Sequence, residues 1–394
     1  KSSPNIFNLP DNIPIKTQYL SNIDNKTRNK IKYFKENIQN IPIVIGGKEY
    51  KGIQKYQKCP YDHSLNVCNY YHAENEHIKM AIDNTENGKN ALKKMSSEEK
   101  ITIFNKLADL FSNGENKHDI LASTIFGQAK TIHQAEIDAV CELGDFLNFN
   151  SYFYNEILNE QPYSINAKDA ENISTWNPLN GFIASITPFN FTAIGANLAT
   201  TPLFMNNYVI WKPSDNSILS NYIFFKKLLE TGIPPESISF LPAEPNNFLE
   251  SISSVRNMAG IAFTGSSNVF ENIYRTVGCN ISNYNNFPRI IGETGGMNFH
   301  FIFNDITDID DVVLKTIRGA FEYSGQKCSA TSRVYLPHSI SKEFIDKLTH
   351  SLQKITVDSP EEKDIFTSSV INENAYNKIK KHIDSTKINP DCEL

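Results

Sequence analysis

Between residues 181 and 265 the chain alternates between short, almost wholly apolar runs (GFIASIT, NYVIWKP, ISFLPA, AGIAFTG) and longer stretches of mixed polarity. Runs of that length without polar alternation mark strands covered on both faces. Parallel sheets need such strands, because their crossover helices pack on both sides of the sheet. The alternation therefore predicts βαβ units and an α/β fold built on a parallel sheet. A second series starts at PRIIGETGG and FHFIF, passes a helix expected over 312–323, and resumes with TSRVYLP and a helix over 342–353. It predicts a second α/β unit. With 394 residues the chain exceeds what one core of roughly 250–300 residues organises, which agrees with two domains.

The flanks are plainer. Residues 1–44 are polar with helical stretches such as 25–39 and are expected to wrap the body; IPIVIGG then predicts a strand closed by a glycine turn. Apolar spacing predicts amphipathic packing helices over 96–113 and 135–153. The expected division is an N-terminal wrap at 1–44, a first domain at 45–291 with a projecting hairpin at 162–176, and a second domain at 292–394. Helical character persists over 374–385, after which the chain stops without closing a sheet, and the second domain is expected to be incomplete.

A net charge of −6 removes the electrostatic basis for binding nucleic acid or an anionic membrane, both of which need a concentrated basic face. A small molecule is the expected partner. The six cysteines show no CxxC pairing, in a chain too large to need disulfide staples, so a reducing compartment is expected. No run approaches the ~18 apolar residues of a membrane span, and no targeting segment is visible. GxGxxG, GxxxxGK[ST] and HExxH are absent, and no metal site is expected.

The chemistry concentrates in three segments. In FEYSGQKCS, Cys328 follows a glycine-broken helix end that would leave its sulfur on an accessible turn, with Lys327 alongside as a group able to lower the thiol pKa. In GETGG, Glu293 ends a strand before two glycines that admit close backbone approach; it is a candidate general base, or simply a strand-end charge in water. In TPFNF, Asn190 also follows a strand, where its amide could donate to a developing oxyanion or merely shape a turn. The strand-end segment WKPSD offers Lys212, Ser214 and Asp215. FTGS places Gly265 and Ser266 before a helix, as an N-cap, a phosphate cradle or both.

Taken in order, these motifs resemble the aldehyde dehydrogenase superfamily from about residue 43 onward. The resemblance implies that fold: a parallel-sheet NAD-binding domain, a second α/β catalytic domain and a projecting oligomerisation hairpin. It implies Cys328 as nucleophile, Glu293 as the base that activates water and borders the cofactor, and Asn190 with the Cys328 N–H as oxyanion hole. Lys212 and Ser214 would hold the adenosine ribose, and Gly265 and Ser266 the pyrophosphate. Asp215 favours NAD over NADP by repelling a 2′-phosphate. GQAKTIHQAEIDA, FNFTAIGANLA, ETGGMNFHF and FEYSGQKCSA resemble in particular the branch that oxidises glutamate γ-semialdehyde, formed from 1-pyrroline-5-carboxylate in proline degradation. On that likeness Phe191 lines the aldehyde site, Ser329 helps hold the substrate α-carboxylate, and Glu136 lies near its amino end. A homo-oligomer is implied, located in the mitochondrial matrix in a eukaryote and otherwise in the cytoplasm. Three alternatives stay open: an aldehyde dehydrogenase for another substrate class, a cysteine hydrolase, and an NAD-binding fragment without turnover.

Overall fold

The computed structural model describes residues 9–392 except 19 and 165–168. Its strands, in chain order, are β1 (Gln39–Ile41), β2 (Ile43–Ile45), β3 (Lys48–Tyr50), β4 (Ile53–Lys58), β5 (Asn66–His72), β6 (Phe182–Ile186), β7 (Val209–Lys212), β8 (Ile238–Phe240), β9 (Met258–Gly265), β10 (Arg289–Thr294), β11 (Asn298–Phe301) and β12 (Thr331–Tyr335). The large sheet runs β10-β9-β6-β7-β8-β2-β3. Its strands pair in parallel from β10 to β8, as the apolar runs predict, and all four residues of central β7 are buried. The far edge differs: β2 pairs antiparallel with both β8 and β3. The turn between β2 and β3 needs left-handed backbone, which Gly46 (φ 57°) and Gly47 (φ 76°) supply at little cost.

The chain steps from β6 outward through β7 to β8, then returns to place β9 on the other side of β6. Crossovers therefore leave β6 and β9 in opposite directions, opening a crevice beyond their carboxyl ends where open α/β sheets bind ligands. Asn190 follows β6, Lys212 ends β7, and Gly265 ends β9 before Ser266. All four border that end of the sheet.

Several expectations need correction. β10, and with it Glu293, is the outer strand of the large sheet, paired with β9 from Arg289 to Thr294. The second unit therefore begins after Thr294, not at 292. It contains the two-stranded sheet β11-β12 and the helices Ile309–Phe321 and His338–Leu352, around a small core of Ile302, Val313, Ile317, Phe344 and Phe366. Nor is 1–44 a separate wrap: Ile31 and Phe34 of the helix Asn25–Glu36 enter the main core, and β1 joins β5. Of the expected hairpin, the described residues form no strand, and 165–168 lie outside them. The expected helix over 135–153 contains a π-helical stretch, Ile137–Glu142, before Leu143–Asn159 continues as an α-helix. Such widened turns cluster at functional sites.

Glu136, expected near the substrate's amino end, also anchors the N-terminal arm. One carboxylate oxygen accepts from the Lys16 and Thr17 N–H groups at 3.0 and 2.6 Å, and the other from Lys117 Nζ at 3.1 Å. Burial pushes this carboxyl up, but the Thr17 hydrogen bonds and the Lys117 charge more than offset it and hold it below its ordinary value. A depressed carboxyl stabilises the fold above its unfolded value of about 4.3 and loses that contribution as pH falls through the lower folded value. Glu136→Gln should accordingly flatten the acid limb of a Tm-against-pH curve, and an unchanged slope below about pH 4.3 would contradict the anchoring role.

Candidate active site

Cys328 lies in the turn before β12, and its thiol donates to Glu293 Oε1 across 3.7 Å. The turn is unusual. After the helix Ile309–Phe321, three consecutive residues are left-handed: Tyr323 (φ 53°), Ser324 (φ 54°) and Gly325 (φ 72°). Two of these carry a Cβ penalty of about 1–2 kcal/mol each, so the turn persists only because its surroundings hold it. Tyr323 is buried and its hydroxyl donates to Gln128 O at 2.8 Å. The Ser324 N–H donates to Thr367 Oγ1 at 2.8 Å and its hydroxyl to Ser368 O at 2.6 Å, while Gln326 Oε1 accepts from the Ile371 N–H at 2.9 Å. Asn298 closes the other side, its amide donating to the carbonyls of Cys328 and Ala330 at 2.5 and 3.0 Å. Sequence reading passed over Asn298, although it sits in the quoted ETGGMNFHF.

Asn190 Nδ2 donates to Gln326 O at 3.1 Å, two residues before the sulfur, and its own Oδ1 is buried with no partner among the described residues. The structure thus brings Cys328, Glu293 and Asn190 to one place. Phe191 beside them is buried, with Lys130 Nζ 4.1 Å from its ring centroid. Lys130 is itself fully buried and paired with Asp138 at 2.6 Å, and Asp138 also accepts from the Thr192 and Ala193 N–H groups at 3.0 and 2.9 Å. A buried ion pair therefore holds the start of the helix that follows Asn190. Ser329 is exposed next to the thiol.

Two electrostatic findings depart from expectation. Lys327 pairs with Glu322 at 2.9 Å, so its charge is already committed. Burial, followed by the Glu293 charge and hydrogen bond, pushes the Cys328 thiol up instead of down. Glu142, which no motif flagged, ends the π-helical stretch, where burial and then Asp138 push its carboxyl up to about 7; Glu293, Lys130 and Lys327 also act on it.

The cofactor candidates gather at the crevice. Lys212 Nζ is buried, and its one hydrogen bond among the described residues is a long 3.4 Å contact to Pro213 O. It faces a cavity of about 200 Å³ lined also by Ile186, Pro245, Leu249, Val269 and Ile273. An apolar slot with one uncommitted cation at its rim suits a flat base joined to a ribose. Ser266 caps the helix Ser267–Cys279 by accepting from the Val269 N–H at 3.4 Å, at the end where helices favour phosphate. Ser214 and Asp215 follow Lys212 in the same loop. These residues fit a dinucleotide.

The aldehyde dehydrogenase family profile matches residues 51–389. The chain belongs to the aldehyde dehydrogenase family. It is 41% identical over 365 residues to delta-1-pyrroline-5-carboxylate dehydrogenase, mitochondrial, of Dictyostelium discoideum, covering 92% of this chain and 65% of that protein. The human protein of the same name is 38% identical over 366 residues, with 92% of this chain and 64% of the relative covered. The chain thus spans about 65% of the length of such relatives. Among solved structures, the Mycobacterium tuberculosis delta-pyrroline-5-carboxylate dehydrogenase bound with NAD superposes with a TM-score of 0.92 at 32% identity, over 98% of this chain and 72% of that one.

Proposed function

We propose that this chain carries the dinucleotide site and reacting residues of an NAD-dependent dehydrogenase of glutamate γ-semialdehyde, yielding glutamate in proline degradation. The observation that carries the reading is the meeting of Cys328 and Glu293 at 3.7 Å, beside the Asn190 amide, at the crevice of the large sheet. The Cys328 thiol gives up its proton to water, leaving Glu293 ionised, and the thiolate adds to the aldehyde carbon. Asn190 Nδ2 and the Cys328 N–H are the donors for the resulting alkoxide. Bound NAD supplies the hydride acceptor. Glu293, then acting as base, deprotonates the water that hydrolyses the Cys328 thioester. Lys212 and Ser214 would hold the ribose, and Gly265 with Ser266 the pyrophosphate.

The relatives' names support the substrate and, being mitochondrial, the compartment; a homo-oligomer rests on family resemblance. No helix among the described residues is long and apolar enough to cross a membrane. The test is NADH formation with glutamate γ-semialdehyde against acetaldehyde. The amino-acid substrate should win in kcat/KM by about 10³-fold or more, as sites with polar anchors reject analogues that lack the matching group. Equal efficiency on both aldehydes would refute the substrate while leaving the dehydrogenase chemistry standing.

A second reading has one observation in its favour. On the two-stranded sheet Phe299, Phe301 and Tyr335 are 67%, 55% and 45% exposed, an uncovered apolar face on a unit of marginal size. It favours a chain that binds NAD without turning over aldehyde, and NAD binding with no NADH formed would select it.

A further inference from the structure

Asp215 lies three residues beyond Lys212, in a half-exposed loop where a carboxylate would ordinarily turn toward water. Here it does not. β5, 143 positions earlier, ends at buried His72, whose Nε2 stands 3.0 and 2.9 Å from the two Asp215 oxygens. The imidazole is held edge-on against Tyr70, with ring centroids 5.6 Å apart, so its donor is aimed by packing. Asp215 is thereby fixed near Lys212, whose ammonium feels both Asp215 and Glu244. Past His72 runs an open groove in which Glu74, Glu76 and Glu244 face a single lysine, Lys55. The surroundings of the uncommitted Lys212 are therefore acidic, and the nearest acid is immobilised by a residue from a distant strand.

We propose that His72 is the positioning residue for nucleotide selectivity: by fixing Asp215 it makes the site accept a free ribose 2′-hydroxyl and reject a 2′-phosphate. This rests on the dinucleotide reading above and goes beyond it, since Asp215 held by the Tyr70 hydroxyl alone would be fixed less firmly against a phosphate. Two like charges held a few ångströms apart near a protein surface repel, and the repulsion falls as their separation grows.

The chain as it stands is titrated with NAD and separately with NADP by calorimetry, with no turnover required. The unaltered chain should prefer NAD. His72→Phe retains a ring against Tyr70 but loses the donor; it should weaken NAD binding and narrow the NAD-to-NADP preference by about tenfold. His72→Gln, which keeps a donor, should recover most of the preference. Asp215→Asn should narrow it at least as far, and it sits in an accessible loop where folding is not at stake. An unchanged preference in His72→Phe or in Asp215→Asn overturns the proposal. A widened preference in His72→Phe overturns it too, because His72 would then be serving the phosphate. If the unaltered chain binds no NAD, the dinucleotide reading itself falls, a result separate from every one of these.

Discussion

Cys328→Ala should abolish NADH formation from the aldehyde, a loss of about four orders of magnitude or more, while leaving NAD affinity unchanged. The asymmetry follows from where the residues sit. The thiol is in the turn before β12, whereas the apolar slot, Lys212 and the Ser266 cap stand at the ends of β6, β7 and β9. Glu293→Gln should behave differently from Cys328→Ala. The substituted amide can still border the thiol but cannot take a proton from water, so thioester forms and then stalls. Rapid mixing should show one equivalent of NADH released quickly, followed by slow turnover. Loss of both burst and turnover would assign Glu293 to activation of the thiol, for which the 3.7 Å contact gives a direct route.

The second large effect is on stability. Asp138→Ala should cost about 3–5 kcal/mol, read as a fall in the urea midpoint, because it strands the fully buried Lys130 ammonium. It also strips acceptors from the Thr192 and Ala193 N–H groups. Burial already pushes the Lys130 amine down, and the Asp138 charge is the main opposing influence. Lys130→Met should cost less, since Asp138 keeps two backbone donors and Met fills a similar volume between Phe191 and Tyr323. A loss below about 1 kcal/mol in Asp138→Ala would show that water reaches the pair.

The fold was legible where burial leaves a local trace. β6, β7 and β9 are covered on both faces, so their residues are apolar in sequence as well as in space. Asn190 was legible as the polar residue after such a strand, whereas Glu293 near the end of β10 and Cys328 after a broken helix end were legible through short, distinctive motifs. What escaped was decided by partners far along the chain. PRIIGET has the same character in either sheet, and only its pairing with β9 assigns it. The hold of the N-terminal arm on one Glu136 oxygen, about 120 positions away, has no local trace. Lys327 stands next to the thiol in sequence, but its direction is fixed by Glu322. The acidic pair around Glu142 and the His72 clamp on Asp215 likewise leave no periodic signal. The π-helical turn follows the apolar spacing of an ordinary helix closely enough to pass for one.

Glu293 rides on the outer strand of the large sheet, and Cys328 in the turn ahead of one strand of the small one. The gap between base and nucleophile is thus a joint between two bodies, not a dimension of either. Sliding the small sheet by about an ångström breaks no strand pairing in either body, yet a misplacement of that size can change a rate by about 10²-fold. The arrangement works as a calliper. Its opening is set by how the two sheets are held against each other and by neither sheet alone.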